Sequence, residues 1–156
     1  MKIAAKASYS YVNIYIDMKF DLKEVVGLSE SDQTHWKIRT LVIDHNGKTS
    51  SPALEALEEW SKSEKADFKK IIKVMKRVGQ TRRVLDPKHV KKSTNPKHKN
   101  VYEMRADKGH ARLMFFYSEK NQTAIAVCTN KYRKGEGDQN QAFEKCDQFR
   151  KLYEES

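Results

Sequence analysis

Side chains at positions 9–16 alternate, with Ser10, Val12, Ile14 and Ile16 on one side and Tyr9, Tyr11, Asn13 and Tyr15 on the other. A period of two in aromatic and β-branched residues predicts a strand. Residues 19–26 fit a short helix or irregular chain equally, and 27–34 read as a polar linker. A second strand is predicted at 36–43, ended by the turn signal Asp44-His45-Asn46-Gly47.

The period then changes. Ser51-Pro52 supplies an N-cap and a first-turn proline, and Ala53, Leu54, Leu57 and Trp60 form the apolar stripe of a helix. Ser61-Lys62-Ser63-Glu64 has the pattern of a capping box, which predicts a restart as a second helix. Phe68, Ile71, Ile72, Met75 and Val78 make its buried face, with Gly79 as its expected stop. Lys65, Lys69, Lys70, Lys73, Lys76 and Arg77 occupy the other face. Residues 80–100, with two prolines and little periodicity, read as a loop.

Three strands follow closely, at 101–106, 112–118 and 123–129, with connections short enough for antiparallel neighbours. Residues 131–137 read as a basic loop. Asp138-Gln139-Asn140-Gln141 again resembles a capping box and opens a helix carrying Ala142, Phe143, Cys146, Phe149, Leu152 and Tyr153 on one stripe. The expected core includes Leu57, Phe68, Ile72, Met75, Phe115, Ile125, Val127 and Phe149.

Composition narrows the function classes. The chain has 156 residues, two cysteines and a formal net charge of +10. Cys128 and Cys146 are too few for a disulfide scaffold and lack metal-ligand spacing, so they read as small buried hydrophobes. No apolar run reaches the length of a membrane span, and the first residues are too polar for a secretory leader, so a cytoplasmic protein is expected. The charge is concentrated: positions 61–100 hold 14 Lys or Arg against 3 Asp or Glu, while the remainder is nearly balanced. Such a field attracts phosphate polymers. It is equally what a solvated helix face followed by a lysine-rich loop would carry.

Sorting the three strands by face gives one constellation. If Leu113, Phe115 and Tyr117 pack under the helices together with Ile125 and Val127, the opposite face collects Glu103, Arg105 and Arg112 beside Ala124, Ala126 and Cys128. Tyr132 and Lys134 would follow just past the last strand. A floor of alanines walled by arginines would leave room for a nucleotide, with Met114 and Phe116 packing on a base or under another part of the chain. A half-exposed sheet with two paired arginines accounts for the same pattern without a ligand. His35, His45, His89 and His98 read as surface or hydrogen-bonded residues. His110, near Arg112, has the unperturbed pKa of ~6.5 that suits acid–base work.

The stretch Val101-Tyr102-Glu103-Met104-Arg105, followed by Gly109-His110-Ala111-Arg112-Leu113-Met114-Phe115-Phe116, resembles the central strands of the RelE/HigB family of bacterial and phage toxins. The basic segment Asn130-Lys131-Tyr132-Arg133-Lys134 and the last helix fall where that family has its lysine-rich loop and C-terminal helix. The resemblance covers about 36–153. Ala111 stands where the family usually has an aromatic residue, and 148–156 offers no clear counterpart of a C-terminal His or Tyr.

The resemblance implies an α+β, RelE-like fold: an antiparallel sheet of about four strands, an N-terminal helical hairpin and a C-terminal helix. It makes 36–156 the toxin domain and leaves 1–35 as an extension, whose alternating strand must pair with something, either adding to the edge of the sheet, as is expected, or meeting a partner or a second copy. It implies an endoribonuclease, an mRNA interferase that uses no metal or cofactor, acts on mRNA at the ribosome and is sequestered by a cognate antitoxin. Arg112 and Arg105 then stabilise the phosphate. Glu103 is a candidate base, with His110 a further acid or base. Tyr132 stacks on a base or orients the hydroxyl, and Lys134, Lys131 or Arg133 assists the leaving group. Lys69, Lys73, Lys76, Arg77, Lys91, Lys92, Lys131 and Arg133 are the expected RNA contacts. Two other functions remain open at this point, a ParE-like gyrase inhibitor without catalysis and a phage or plasmid nucleic-acid-binding protein.

Overall fold

The computed structural model describes residues 18–82, 85–130 and 135–156. The strand expected at 9–16 lies outside the described residues, as do Lys131, Tyr132, Arg133 and Lys134.

Among the described residues, seven strands form one mixed sheet. In chain order they are β1 (Met18–Glu24), β2 (Lys37–His45), β3 (Lys48–Ser50), β4 (Val90–Lys92), β5 (Tyr102–Arg105), β6 (Arg112–Ser118) and β7 (Thr123–Thr129). Their spatial order is β1-β2-β7-β6-β5-β4, with β3 also pairing β2. All pairs are antiparallel except β2 and β7, which run parallel. The helices are α1 (Pro52–Ser63), α2 (Lys65–Gln80) and α3 (Gly135–Glu155).

This overturns the expected four-strand antiparallel sheet headed by a helical hairpin. Three strands precede α1, and the chain crosses from β3 through α1 and α2 to the far edge of the sheet. The three additional strands go unread for different reasons. In β1 the alternation is regular, Met18, Phe20 and Leu22 half-buried and Lys19, Asp21 and Lys23 exposed, a period-two signal that the reading of 19–26 as short helix or irregular chain passes over. The strand β3 is three residues of an Asn46-Gly47 hairpin, both turn residues having positive φ (57° and 80°), as a type I′ turn requires. The strand β4 lies within the proline-bearing segment read as loop, and exists only by pairing with β5.

Ser51 caps α1, its hydroxyl accepting from the Leu54 N–H at 3.3 Å while donating to the Leu41 carbonyl at 2.7 Å. The capping box expected before α2 is not used. Ser61 and Ser63 donate back to the carbonyls of Glu58 and Glu59 within α1, and no side chain caps α2. The last helix begins at Gly135 rather than at the expected capping box.

Each face of the sheet is covered. On one, Leu57 of α1 and Ile71, Val74, Met75 and Val78 of α2 pack on Ile38, Met104, Leu113, Phe115, Ala124 and Ala126. On the other, Ala142, Phe143, Cys146 and Tyr153 of α3 pack on Leu41, Ile43, Met114, Phe116, Ile125, Val127 and Cys128. Of the expected core residues, Leu57, Met75, Phe115, Ile125 and Val127 are buried, while Phe68, Ile72 and Phe149 are half-buried at its margins.

The expected grouping of Ile125 and Val127 with Leu113, Phe115 and Tyr117 is therefore wrong. Ala124 and Ala126 lie under the helix pair, where small side chains let α1 approach β7, and no alanine floor is open to a nucleotide. A bulge in β7 leaves Val127 as an extra residue between the Met114–Cys128 and Phe115–Ala126 pairs, so Val127 and Cys128 both join the α3 side.

Gly79 does not stop α2. It lies inside the last turn, its carbonyl accepts from the N–H groups of His35 and Trp36 at 2.7 and 3.0 Å, and a Cβ there would press on the Asp32 carbonyl oxygen. Gly79→Ala is expected to lose about 1–3 kcal/mol of stability, the cost of overpacking, as read by urea denaturation. An exposed helical glycine would instead gain from the change, so a stabilised variant would show that the segment before β2 does not rest on α2.

No helix among the described residues is long and apolar enough to cross a membrane.

Candidate active site

Strand register brings four of the proposed site residues to one face. Arg105 of β5 stands directly opposite Arg112 of β6, Glu103 opposite Met114, and Lys91 of β4 opposite Glu103. Alternation then turns Met104 and Leu113 under the helix pair and leaves Glu103, Arg105, Arg112 and Lys91 on the α3 side, at the edge of its apolar patch.

Glu103 is the centre of this group. It is 0% exposed. Its Oε1 accepts from Gln139 Nε2 of α3 at 3.1 Å and lies 3.4 Å from Arg105 Nε, while among the described residues neither Oε2 nor Arg105 Nε has a hydrogen-bond partner. Lys91 Nζ donates to Gln139 Oε1 at 3.2 Å, so the amide bridges the ammonium and the carboxylate. Burial pushes the Glu103 carboxyl above the ordinary range, against the pull of Arg105, Arg112, the Gln139 hydrogen bond and Lys91. A buried carboxylate with an open oxygen beside two guanidinium groups is a costly arrangement, and such costs concentrate at functional sites.

The sign of this shift has a consequence for stability. A carboxyl whose pKa rises on folding binds its proton more tightly in the folded chain, so it supports folding below its unfolded pKa, and that support is lost as pH rises through the raised value. The contribution of Glu103 to stability should therefore be lost from about pH 4 upward through that value. Glu103→Gln should flatten this loss in urea denaturation across the same range. A parallel pH profile for the two proteins would remove Glu103 as a buried titrating group.

Arg112 is oriented differently. Its Nη1 donates to the carbonyls of Ala111, Ala106 and Gly109 at 2.9, 3.2 and 3.3 Å. Burial, then the neighbouring Arg105, lowers its pKa, and Glu103, Asp67 and Asp107 oppose that. An arginine starts from so high a value that it stays protonated.

The other candidates are not brought to this group. The cations of α2 lie on the layer that covers the opposite face, where Lys69, Lys73 and Arg77 are exposed and Lys76 is half-exposed. Lys92 stands opposite Tyr102, 5.8 Å over its ring, and so also faces away from Glu103. His110 is exposed and lines a cleft of about 870 Å³ between α1 and the start of α3. The cleft also carries Glu55, Glu59, Glu64 and Asp138, a poor wall for a phosphate. Among the described residues, no hydrogen bond joins the His110 ring to Glu103, Arg105 or Arg112. Tyr132, Lys134, Lys131 and Arg133 lie outside the described residues. Cys128 and Cys146 are buried thiols, and burial pushes Cys128 up to about 12.

Two residues at the site were missed in sequence. Gln139 reads there only as part of a capping box, and its reach to Glu103 spans 36 positions. Asp67 accepts from the N–H groups of His110 and Ala111 at 2.7 and 2.9 Å. Its signal was a carboxylate on the buried stripe of α2, in register with Ile71, Val74 and Val78.

A family model for phage-derived Gp49-like proteins (DUF891) matches residues 55–148, which is more than half of the chain and includes Asp67, Lys91, Glu103, Arg105, Arg112 and Gln139. No curated protein and no solved structure matches.

Proposed function

The chain belongs to the phage-derived Gp49-like family, which is associated with RelE-like toxins of toxin–antitoxin systems, and on that premise we propose that it is a toxin that cleaves mRNA. The observation that carries the reading is the convergence of Glu103, Arg105 and Arg112 on one face, with Glu103 Oε2 unengaged. In this reaction the RNA 2′-hydroxyl attacks the adjacent phosphorus, the 5′-oxygen leaves, and a 2′,3′-cyclic phosphate forms. Glu103 takes the hydroxyl proton, which its raised pKa suits, and because its carboxylate is buried beneath Gln139 the step requires that side chain to move aside. Arg112 and Arg105 offset the charge that builds on the non-bridging oxygens. A cation of the 131–134 segment, Lys134, Lys131 or Arg133, supplies the proton to the leaving oxygen, and Tyr132 orients the hydroxyl or stacks on a base.

The exposed row Lys65, Lys69, Lys73 and Arg77 supports a polyanionic partner. Four-residue spacing places successive cations about 6 Å apart along the helix axis, a line of positive charge that a phosphate backbone can meet. Because the row lies on the layer opposite Glu103, it holds ribosomal or messenger RNA by phosphates away from the cut. Among the described RNA-contact candidates, Lys91 is the one within reach of the site. An antitoxin that binds the toxin completes the reading, and cytoplasmic location follows from the substrate. Complete burial of Glu103 favours a second reading, nucleic-acid binding without cleavage.

The test is to incubate the chain with mRNA, alone and on translating ribosomes, and map the ends. Cuts leaving 2′,3′-cyclic phosphate and 5′-hydroxyl ends, abolished by 2′-deoxy substitution at the cut nucleotide, are expected. Tight RNA binding with no cut in either setting would favour the second reading.

A further inference from the structure

The three carbonyls that hold Arg112 Nη1 come from one tight turn, 106–111, joining β5 to β6. The turn is closed by the Ala106 N–H on the Ala111 carbonyl at 3.1 Å and the Gly109 N–H on the Ala106 carbonyl at 2.9 Å. Lys108 within it has a positive φ of 61°, so the loop has a definite and somewhat strained shape. The Gly109 carbonyl and the His110 N–H are opposite edges of one peptide plane, so that carbonyl reaches the guanidinium while the N–H groups of His110 and Ala111 face α2.

Those N–H groups are held from α2. Asp67 Oδ2 accepts from both His110 and Ala111, and Lys70, three positions on, donates to the Asp107 carbonyl at 2.8 Å. Asp67 is buried, 7% exposed, on a stripe that is otherwise apolar. At Gly109 the fit is closer still, because a Cβ there would fall on the Asp67 carboxylate. One carboxylate on the helix-pair side thus fixes the Gly109–His110 peptide, whose carbonyl accepts from Arg112, and anchors the turn that carries the other two acceptors.

We infer that Asp67 is a positioning residue for Arg112: through the 106–111 turn it fixes one end of the guanidinium and leaves the other nitrogens to meet a phosphate. The inference rests on the proposed RNA cleavage, since it assigns a purpose to that site's cation. It also explains why glycine stands at 109, in a turn whose crowding comes from α2 and not from its own φ.

The test compares Asp67→Ala, Asp67→Asn, Arg112→Ala and the Asp67→Ala/Arg112→Ala double variant in RNA cleavage. Asp67→Ala should lower kcat about tenfold to hundredfold, the range that slight misplacement of a reacting group costs, with KM for RNA unchanged. Asp67→Asn, whose amide oxygen can accept the same two N–H groups, should restore most of the rate. The double variant should be no slower than Arg112→Ala, because Asp67 acts through Arg112. Multiplied losses, or a rise in KM in place of the fall in kcat, would overturn the inference. If Asp67→Ala is unfolded at the assay temperature, Gly109→Ala replaces it in the same cycle with the same expectations.

A wild-type chain that cuts no RNA would overturn the functional reading while leaving the positioning to a second measurement. Side-chain NMR of Arg112 should show slow guanidinium hydrogen exchange in the wild type and Asp67→Asn, and fast exchange in Asp67→Ala or Gly109→Ala. Unchanged exchange in the last two would overturn the positioning role on its own.

Discussion

Arg112→Ala is expected to lower RNA cleavage by about 10²–10³-fold, the cost of removing one preorganised donor from a developing oxyanion. In cells the same variant should cease to arrest growth. The fold should survive, because the turn that the guanidinium touches keeps its own closing hydrogen bonds and its attachment to Asp67. Binding to an antitoxin should survive with it. A thermal melt and a growth assay on the same preparation separate these effects, and a folded Arg112→Ala chain of undiminished toxicity would remove Arg112 from the mechanism. Lysine at 112 should recover little, since one ammonium cannot both engage the turn carbonyls and present a second nitrogen to phosphate. Arginine does not titrate in the working range, so a pH optimum must come from another group. Glu103 is the candidate whose pKa is displaced toward that range.

The largest stability effect is expected at Phe116. Its ring is fully buried between β6 and α3, 6.0 Å from the Tyr153 ring, beside Ile125 and Phe143. Phe116→Ala should cost about 3–5 kcal/mol. For a chain of this size that is a fall in melting temperature on the order of 10 °C. Val26, 91% exposed, provides the control: Val26→Ala should stay within about 0.5 kcal/mol of wild type. Equal melting of wild type and Phe116→Ala would mean that α3 does not cover this face. The site would be affected too, because α3 carries the Gln139 amide that bridges Lys91 and Glu103.

Both expectations depend on features that differ in how far the sequence exposes them. The row Phe68, Ile71, Ile72, Met75 and Val78 is a local signal, since the positions i, i+3, i+4, i+7 and i+10 share one helix face whatever the rest of the chain does. So is the Ser51-Pro52 start of α1. The continuous apolar runs of β6 and β7 carried a further message: strands buried on both faces lose alternation. Treating them as one-sided led to the alanine floor. A single extra residue at Val127 then shifted the face of what followed it, and nothing in the sequence announces a bulge.

By itself the sequence determined the helix periods, the central strands, the basic segment and the pairing of Glu103 and Arg105 on one strand face, because period and spacing are properties of neighbouring residues. Only the tertiary structure decided that the sheet is mixed and seven-stranded, that α2's cations lie on the layer opposite Glu103, and that Gln139 and Asp67 attend the site. Each of those depends on contacts between residues far apart in the chain. Their formation is set by which surfaces can be buried together, and the same local pattern is compatible with several ways of burying them. Asp67 is the clearest instance: a carboxylate on an apolar stripe is an anomaly in the sequence, and it acquires a role only when the 106–111 turn, 43 positions away at His110, is folded against it.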